Sequence, residues 1–172
     1  GFNVEDAYKA LKESSMLPER GMEYRIKYGF IPADLMKEAI AYDMEYAIAD
    51  WSVAQAARKL NKQEDYKYFL ERSKSYKNYF DPTTGFMRGK MLDGSMRTPF
   101  NPYASTHRDD DYCEGNAWQY TWLVPHDVEG LVDCFGSKEA FISKLDSLFI
   151  ADGDMGESSS PDISGLIGQY AH

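Results

Sequence analysis

The stretch Arg108–Asp109–Asp110–Asp111–Tyr112–Cys113–Glu114–Gly115–Asn116–Ala117–Trp118–Gln119–Tyr120–Thr121–Trp122 concentrates side chains that can do chemistry. It holds four carboxylates, amide and hydroxyl groups, and aromatic rings. Read as a loop entering a helix, it puts Glu114, Trp118 and Trp122 at spacings of four, on one face. Asn116 and Tyr120 share the neighbouring face. A carboxyl flanked by tryptophan rings and amides suits a sugar. Rings stack on C–H faces, Asn and Gln hydrogen-bond hydroxyls, and the carboxyl does acid–base work.

Glu114 is the candidate proton donor, and two effects compete for it. A place in the first helical turn favours the carboxylate by about 0.3–1 kcal/mol. Apolar walls and neighbouring carboxylates favour the acid; burial can raise a carboxyl pKa by up to ~3–5 units, about 4–7 kcal/mol. Buried among the rings, Glu114 is a proton donor at neutral pH. Exposed, it is only a helix-start residue.

The other polar groups have plainer readings. Asp109–Asp111 reads as a solvated acidic run, with Arg108 available as a partner. Its three consecutive acids lack the alternating ligands and the turn glycine of a calcium loop. His126 beside a capping Asp127 reads as structural. His107 and His172 have no partner legible from spacing. Cys113 and Cys134 form no disulfide framework or zinc spacing and read as buried free thiols.

The elements that must position these groups are helical. Asn3 caps a helix from Val4 to about Met16, ended by Pro18 and Gly21. Tyr24 to Pro32 reads as loop, and Asp34 as the next cap. Apolar positions at Ile40, Met44, Ala47, Ile48, Trp51 and Ala54 mark a helix to about Leu60. Tyr66, Phe69, Ser73, Tyr76 and Phe80 continue at helical spacing and read as core, until Asp81–Pro82 and Gly85 break the pattern. Residues 83–113 carry no helical period. A loop of about 30 residues inside a domain is usually functional, and a hairpin is possible at Asp93–Gly94. A helix is expected from about Glu114 to Leu123, one capped by Asp127 to Phe135, and one capped by Ser137 to Phe149. Residues 151–160 read as a flexible insertion, and a last helix runs toward Tyr170. No strand pattern of any length is visible. The fold class is therefore all-α, with antiparallel helices joined by irregular loops in a bundle or α/α toroid.

Composition narrows the partners. The 43% hydrophobic and 27% charged residues support a folded core rather than disorder. The net charge of −9 argues against a nucleic-acid backbone as ligand, and no apolar run is long enough for a membrane span. Up to Phe100 there are 16 basic and 15 acidic residues; from Asn101 onward there are 3 and 13, so the acidic excess surrounds the block described above. The start carries no signal peptide, and both ends read as cut from a longer chain, 1–172 being a single segment of it.

The string Tyr112–Cys113–Glu114–Gly115–Asn116–Ala117–Trp118–Gln119–Tyr120, followed by Trp122–Leu123–Val124–Pro125–His126–Asp127, resembles a signature block of glycoside hydrolase family 92, bacterial exo-α-mannosidases. Gly29–Phe30–Ile31–Pro32–Ala33, the turn Phe80 to Gly89, and Asp162–Ile163–Ser164–Gly165–Leu166–Ile167–Gly168–Gln169–Tyr170–Ala171–His172 resemble further family stretches, in order.

The resemblance implies part of an (α/α)₆ toroid. It implies calcium-dependent, inverting hydrolysis of terminal α-mannosides in N-glycans or yeast-type mannan, by a periplasmic, secreted or cell-surface protein. It gives Glu114 the role of general acid. Asn116, Trp118, Gln119 and His172 would line or support the substrate pocket. The family's general base and calcium ligands lie beyond His172, so no calcium is expected on this chain alone, and the chain alone is expected to be inactive. Uncovered helix faces would favour self-association. Two other readings remain on the residues alone: a non-catalytic sugar-binding module built on Trp118 and Trp122, and a helical scaffold with a solvated acidic face.

Overall fold

The computed structural model of the chain describes residues 1–106, 108–153 and 168–169. Helix dominates. The first helix, α1 (Val4–Ser14), begins where expected: Asn3 Oδ1 accepts from the N–H groups of Glu5 at 3.1 Å and Asp6 at 3.3 Å.

The segment expected to be loop before Pro32 is instead largely a helix, α2 (Met22–Tyr28), bracketed by Gly21 at φ 88° and Gly29 at φ 81°. Only glycine adopts these left-handed angles without steric cost. No side chain caps α2; long-range bonds from Arg25 hold it, which local patterns do not encode.

The long helix α3 (Ala39–Lys59) starts five residues after Asp34 and not at it. Asp34 instead accepts from the Leu92 N–H at 2.8 Å. The free N–H groups at the start of α3 are met by loop carbonyls: Glu38 N–H donates to Asp110 O at 2.7 Å, and Ile40 N–H to Asp111 O at 3.1 Å. A helix terminus needs such acceptors, and here they come from residues 71 and 72 positions away. Ile40, Met44, Ala47 and Ala54 are buried as expected, but Trp51 is 36% exposed. The buried face turns instead through Asp43 and Asp50.

Helix α4 (Gln63–Arg72) packs along α3. The aromatic stripe expected as one helix is divided. It passes through a 3₁₀ turn (Ser75–Asn78) into β1 (Phe80–Asp81), which pairs antiparallel with β2 (Phe86–Met87), Phe80 opposite Met87 and Asp81 opposite Phe86. Phe69, Tyr76 and Phe80 are nevertheless core, as their spacing predicts. The strands are too short to leave an alternating pattern, so sequence reading missed them. Within 83–113, β2 and a turn bridging Lys90 to Met96 are the regular parts among the described residues.

The remaining helices are α5 (Ala117–Tyr120), α6 (Val128–Cys134) and α7 (Lys138–Leu148). Asp127 and Ser137 cap α6 and α7 by accepting from Gly130 N–H and Ala140 N–H, both at 3.1 Å. The largest core cluster joins Ile40, Met44, Tyr79, Met87, Tyr112 and Trp118, so it runs from α3 through the hairpin to the chemical block. The expected insertion at 151–160 is described only to Gly153, and the expected last helix lies outside the described residues.

Candidate active site

The expected helix from Glu114 to Leu123 is a single turn, α5, and Glu114 is not on it. Asn116 is the N-cap. Its Oδ1 accepts from Gln119 N–H at 3.3 Å, while Gln119 Oε1 accepts from Asn116 N–H at 2.8 Å. This reciprocal capping box has a sequence signature, Asn-x-x-Gln, that was legible in the chain. Glu114 therefore does not share a helical face with Trp118 and Trp122. It lies two residues before the cap, exposed, at φ 49°. Neither the burial nor the helix-dipole argument applies to it at this place.

The loop carrying Glu114 is held on both sides. Tyr120 Oη accepts from Cys113 N–H at 3.2 Å and donates to Cys113 O at 2.7 Å. Asn116, fully buried, donates from Nδ2 to Gln169 Oε1 at 3.0 Å and to Tyr103 O at 3.2 Å. Gln119 Nε2 reaches Gln169 O at 3.2 Å. The Asn116 and Gln119 amides are thus engaged in holding the loop. Gln169, Tyr103 and the hydroxyl of Tyr120 are parts of this arrangement that sequence reading did not assign.

Trp118 is 6% exposed and packs edge-on to Phe86, with centroids 4.8 Å apart, and beside Tyr103 at 5.8 Å. Lys144 Nζ lies 3.4 Å from the Phe86 ring centroid and 4.6 Å from that of Trp118. Burial pulls the Lys144 ammonium down to about 8, while the ring faces favour its charged form. Trp122 stacks parallel on Phe135 at 5.8 Å and meets Phe141 edge-on. Both tryptophans are therefore packing residues that support the block rather than open platforms. His172 and His107 lie outside the described residues.

The acidic run is not a solvated face. Asp109 is exposed and pairs with Lys37. Asp111 is buried and pairs with Arg97 Nε at 2.9 Å, so Arg108 is not its counter-ion. Burial pushes the Asp111 carboxyl up, against the pull of Arg97. Asp110 is likewise raised by burial, although it accepts from Thr106 N–H at 2.6 Å and Tyr112 N–H at 2.9 Å. Asp110 and Asp111 border a cleft of about 130 Å³ with Arg97, Phe100 and Thr106. Glu114 is the one carboxylate of the block that makes no hydrogen bond or ion pair with the described residues.

His126 Nε2 meets Ser73 O at 3.0 Å, and its ring stands edge-on to Tyr76. With Asp127 capping α6 and accepting from Tyr76 Oη at 2.7 Å, the pair is structural, as its sequence context predicts. Cys113 and Cys134 are free, but half-buried rather than buried. The described residues do not fit a calcium site. No group of three His, Cys, Asp or Glu converges among them, and the acids beside Glu114 already have partners.

The chain resembles known proteins along its length. The model of the glycosyl hydrolase family 92 catalytic domain matches residues 1–172. A family GH92 α-mannosidase of Bacteroides thetaiotaomicron, solved in complex with mannoimidazole, superposes with a TM-score of 0.88 at 40% identity, over 99% of this chain and 23% of that one. A family GH92 inverting mannosidase of the same organism gives 0.79 at 33% identity, over 89% and 21%. An uncharacterized secreted glycosidase of Arthroderma benhamiae is 27% identical over 141 residues, 70% of this chain and 18% of that protein. The chain thus spans 18–23% of the length of these relatives. With its whole length matched, the chain belongs to glycosyl hydrolase family 92, within the catalytic domain.

Proposed function

We propose that the protein containing this chain hydrolyses terminal α-mannosides with inversion, with Glu114 as general acid. The observation that carries the reading is Glu114 itself: an exposed carboxylate, unpaired among the described residues, on a loop pinned at both ends, in a chain belonging to this family. In the reaction the Glu114 carboxyl gives its proton to the glycosidic oxygen as the bond to the anomeric carbon breaks. A water attacks the opposite face, activated by a second carboxylate about 6.5–9.5 Å from the first. That base and the calcium ligands lie outside these 172 residues.

The substrates are mannose-containing glycans, N-glycans or yeast-type mannan. The likeness to a mannosidase solved with mannoimidazole supports this. The likeness to a secreted glycosidase supports an extracellular, cell-surface or periplasmic location; among the described residues no helix is long and apolar enough to cross a membrane. The helices form an arc of an (α/α)₆ toroid, and Asn116, Trp118 and Gln119 support the substrate pocket from behind Glu114; His172, outside the described residues, is assigned to the same pocket through the family resemblance alone. The isolated segment does not turn over mannosides and self-associates through apolar side chains such as Val4 and Leu11, exposed on α1.

The test is Glu114→Gln in the full-length protein, assayed on an α-mannobiose. The expected loss is about 10²–10⁴-fold in rate, with the fold retained by circular dichroism. Near-normal turnover would remove Glu114 from the role. Bound mannose with no turnover by the unmodified protein would favour a sugar-binding module.

A further inference from the structure

Glu114 is held at φ 49°, a left-handed conformation uncommon for a residue with a side chain. Such a conformation persists only where its surroundings over-determine it. The surroundings are explicit here. A single hydroxyl, Tyr120 Oη, binds both backbone polar groups of Cys113, the residue before Glu114, at 3.2 Å and 2.7 Å. The Tyr120 ring rests on Tyr112 with centroids 5.4 Å apart. Tyr112 is itself buried and donates to Met87 O at 2.7 Å. On the far side Gly115 lies against the same ring: a Cβ there would stand 3.0 Å from both Tyr120 Cε2 and Gln119 Oε1.

We propose that Tyr120 is a positioning residue for proton donation. Its hydroxyl fixes the peptide from which Glu114 reaches the departing oxygen. Without the hydroxyl, the backbone at Glu114 relaxes toward negative φ and the carboxyl leaves its line. The proposal rests on Glu114 being the general acid, and it predicts a defect confined to the proton-transfer part of the reaction. The proton passes from the Glu114 carboxyl to the glycosidic oxygen as that oxygen takes the electron pair of the breaking C–O bond. A leaving group that is stable as an anion does not need that proton.

The experiment compares kcat/KM of the full-length protein on an α-mannobiose, a poor leaving group, and on 2,4-dinitrophenyl α-mannoside, a good one. Tyr120→Phe is expected to lose about 10–100-fold more on the mannobiose than on the aryl mannoside. Activity on the aryl mannoside also counts the folded sites, so partial misfolding cancels in the ratio. Gly115→Ala, whose methyl would crowd the Tyr120 ring at 3.0 Å and shift the loop against it by a few tenths of an ångström, should show a split in the same direction and serves if Tyr120→Phe does not fold. Glu114→Gln should show a larger split, about 10²–10⁴-fold. A split in Glu114→Gln with equal losses on both substrates in the loop variants would overturn the role of Tyr120 alone. No split in Glu114→Gln would overturn the general acid, and the positioning role with it.

Discussion

Asn116 and Gln119 cap each other at the start of α5, with Gln119 N–H 3.3 Å from Asn116 Oδ1 and Asn116 N–H 2.8 Å from Gln119 Oε1. Four helical residues cannot sustain a helix on propensity. The turn exists because its end groups are satisfied and because Ala117 and Trp118 are buried.

Asn116→Ala removes the cap, worth about 1 kcal/mol. It also leaves Gln169, which is buried, without the amide that meets its Oε1, for about 1–3 kcal/mol more. The expected result is a lowered unfolding midpoint in the full-length protein, with the loop near residue 114 cleaved sooner in limited proteolysis. An unchanged proteolysis pattern would show that the box does not hold the loop.

Arg25 lies at the centre of a charge-balanced buried network. Its Nε meets Asp43 Oδ1 at 2.6 Å, its guanidinium also pairs with Asp50, and Arg72 meets Asp50 at 2.6 Å. Two cations face two carboxylates, and Ser75 Oγ and Tyr79 Oη stand 2.6 Å from Asp43 oxygens. Arg25→Met strands a buried negative charge and is expected to cost about 3–5 kcal/mol. Adding Asp43→Asn restores the balance and should recover part of the loss. Chemical denaturation of both variants checks this; a double variant less stable than the single one contradicts it.

Asp81 supplies a pH dependence. Burial raises its carboxyl, but the Thr83 hydroxyl and N–H, the Arg88 guanidinium and the Thr84 hydroxyl together hold it down at about 2. A carboxyl depressed in the folded state stabilises the fold above its ordinary value near 3.8, and that contribution is lost as pH falls toward about 2. Asp81→Asn should therefore melt below the unmodified protein at pH 7, with the gap narrowing from pH 4 to pH 2. A constant gap across that range would show that the carboxylate charge is not what ties the hairpin together.

Much of the local structure was legible. Asn3, Asp127 and Ser137 cap the helices they were expected to cap, because a cap is a bond between neighbours in the chain. The stripe at Phe69, Tyr76 and Phe80 is core because burial follows residue type even where the backbone leaves the helix. Helix α2 was not legible, since the side chain that holds it, Arg25, bonds to Asp43, Asp50 and Ser75 in other elements. The start of α3 was misplaced for the same reason: its acceptors are the carbonyls of Asp110 and Asp111.

The sequence by itself determined the helical class, since that depends on side-chain type and near-neighbour spacing, and the family, through the resemblance carried by strings such as Glu114–Gly115–Asn116–Ala117–Trp118–Gln119–Tyr120. The tertiary structure decided where the members of the block sit and which partners they take. It removed Glu114 from the helix, buried Trp118, engaged the Asn116 and Gln119 amides, and paired Asp111 with Arg97. Whether a carboxylate is free or paired depends on groups brought together across tens of residues, and only the folded chain sets those distances.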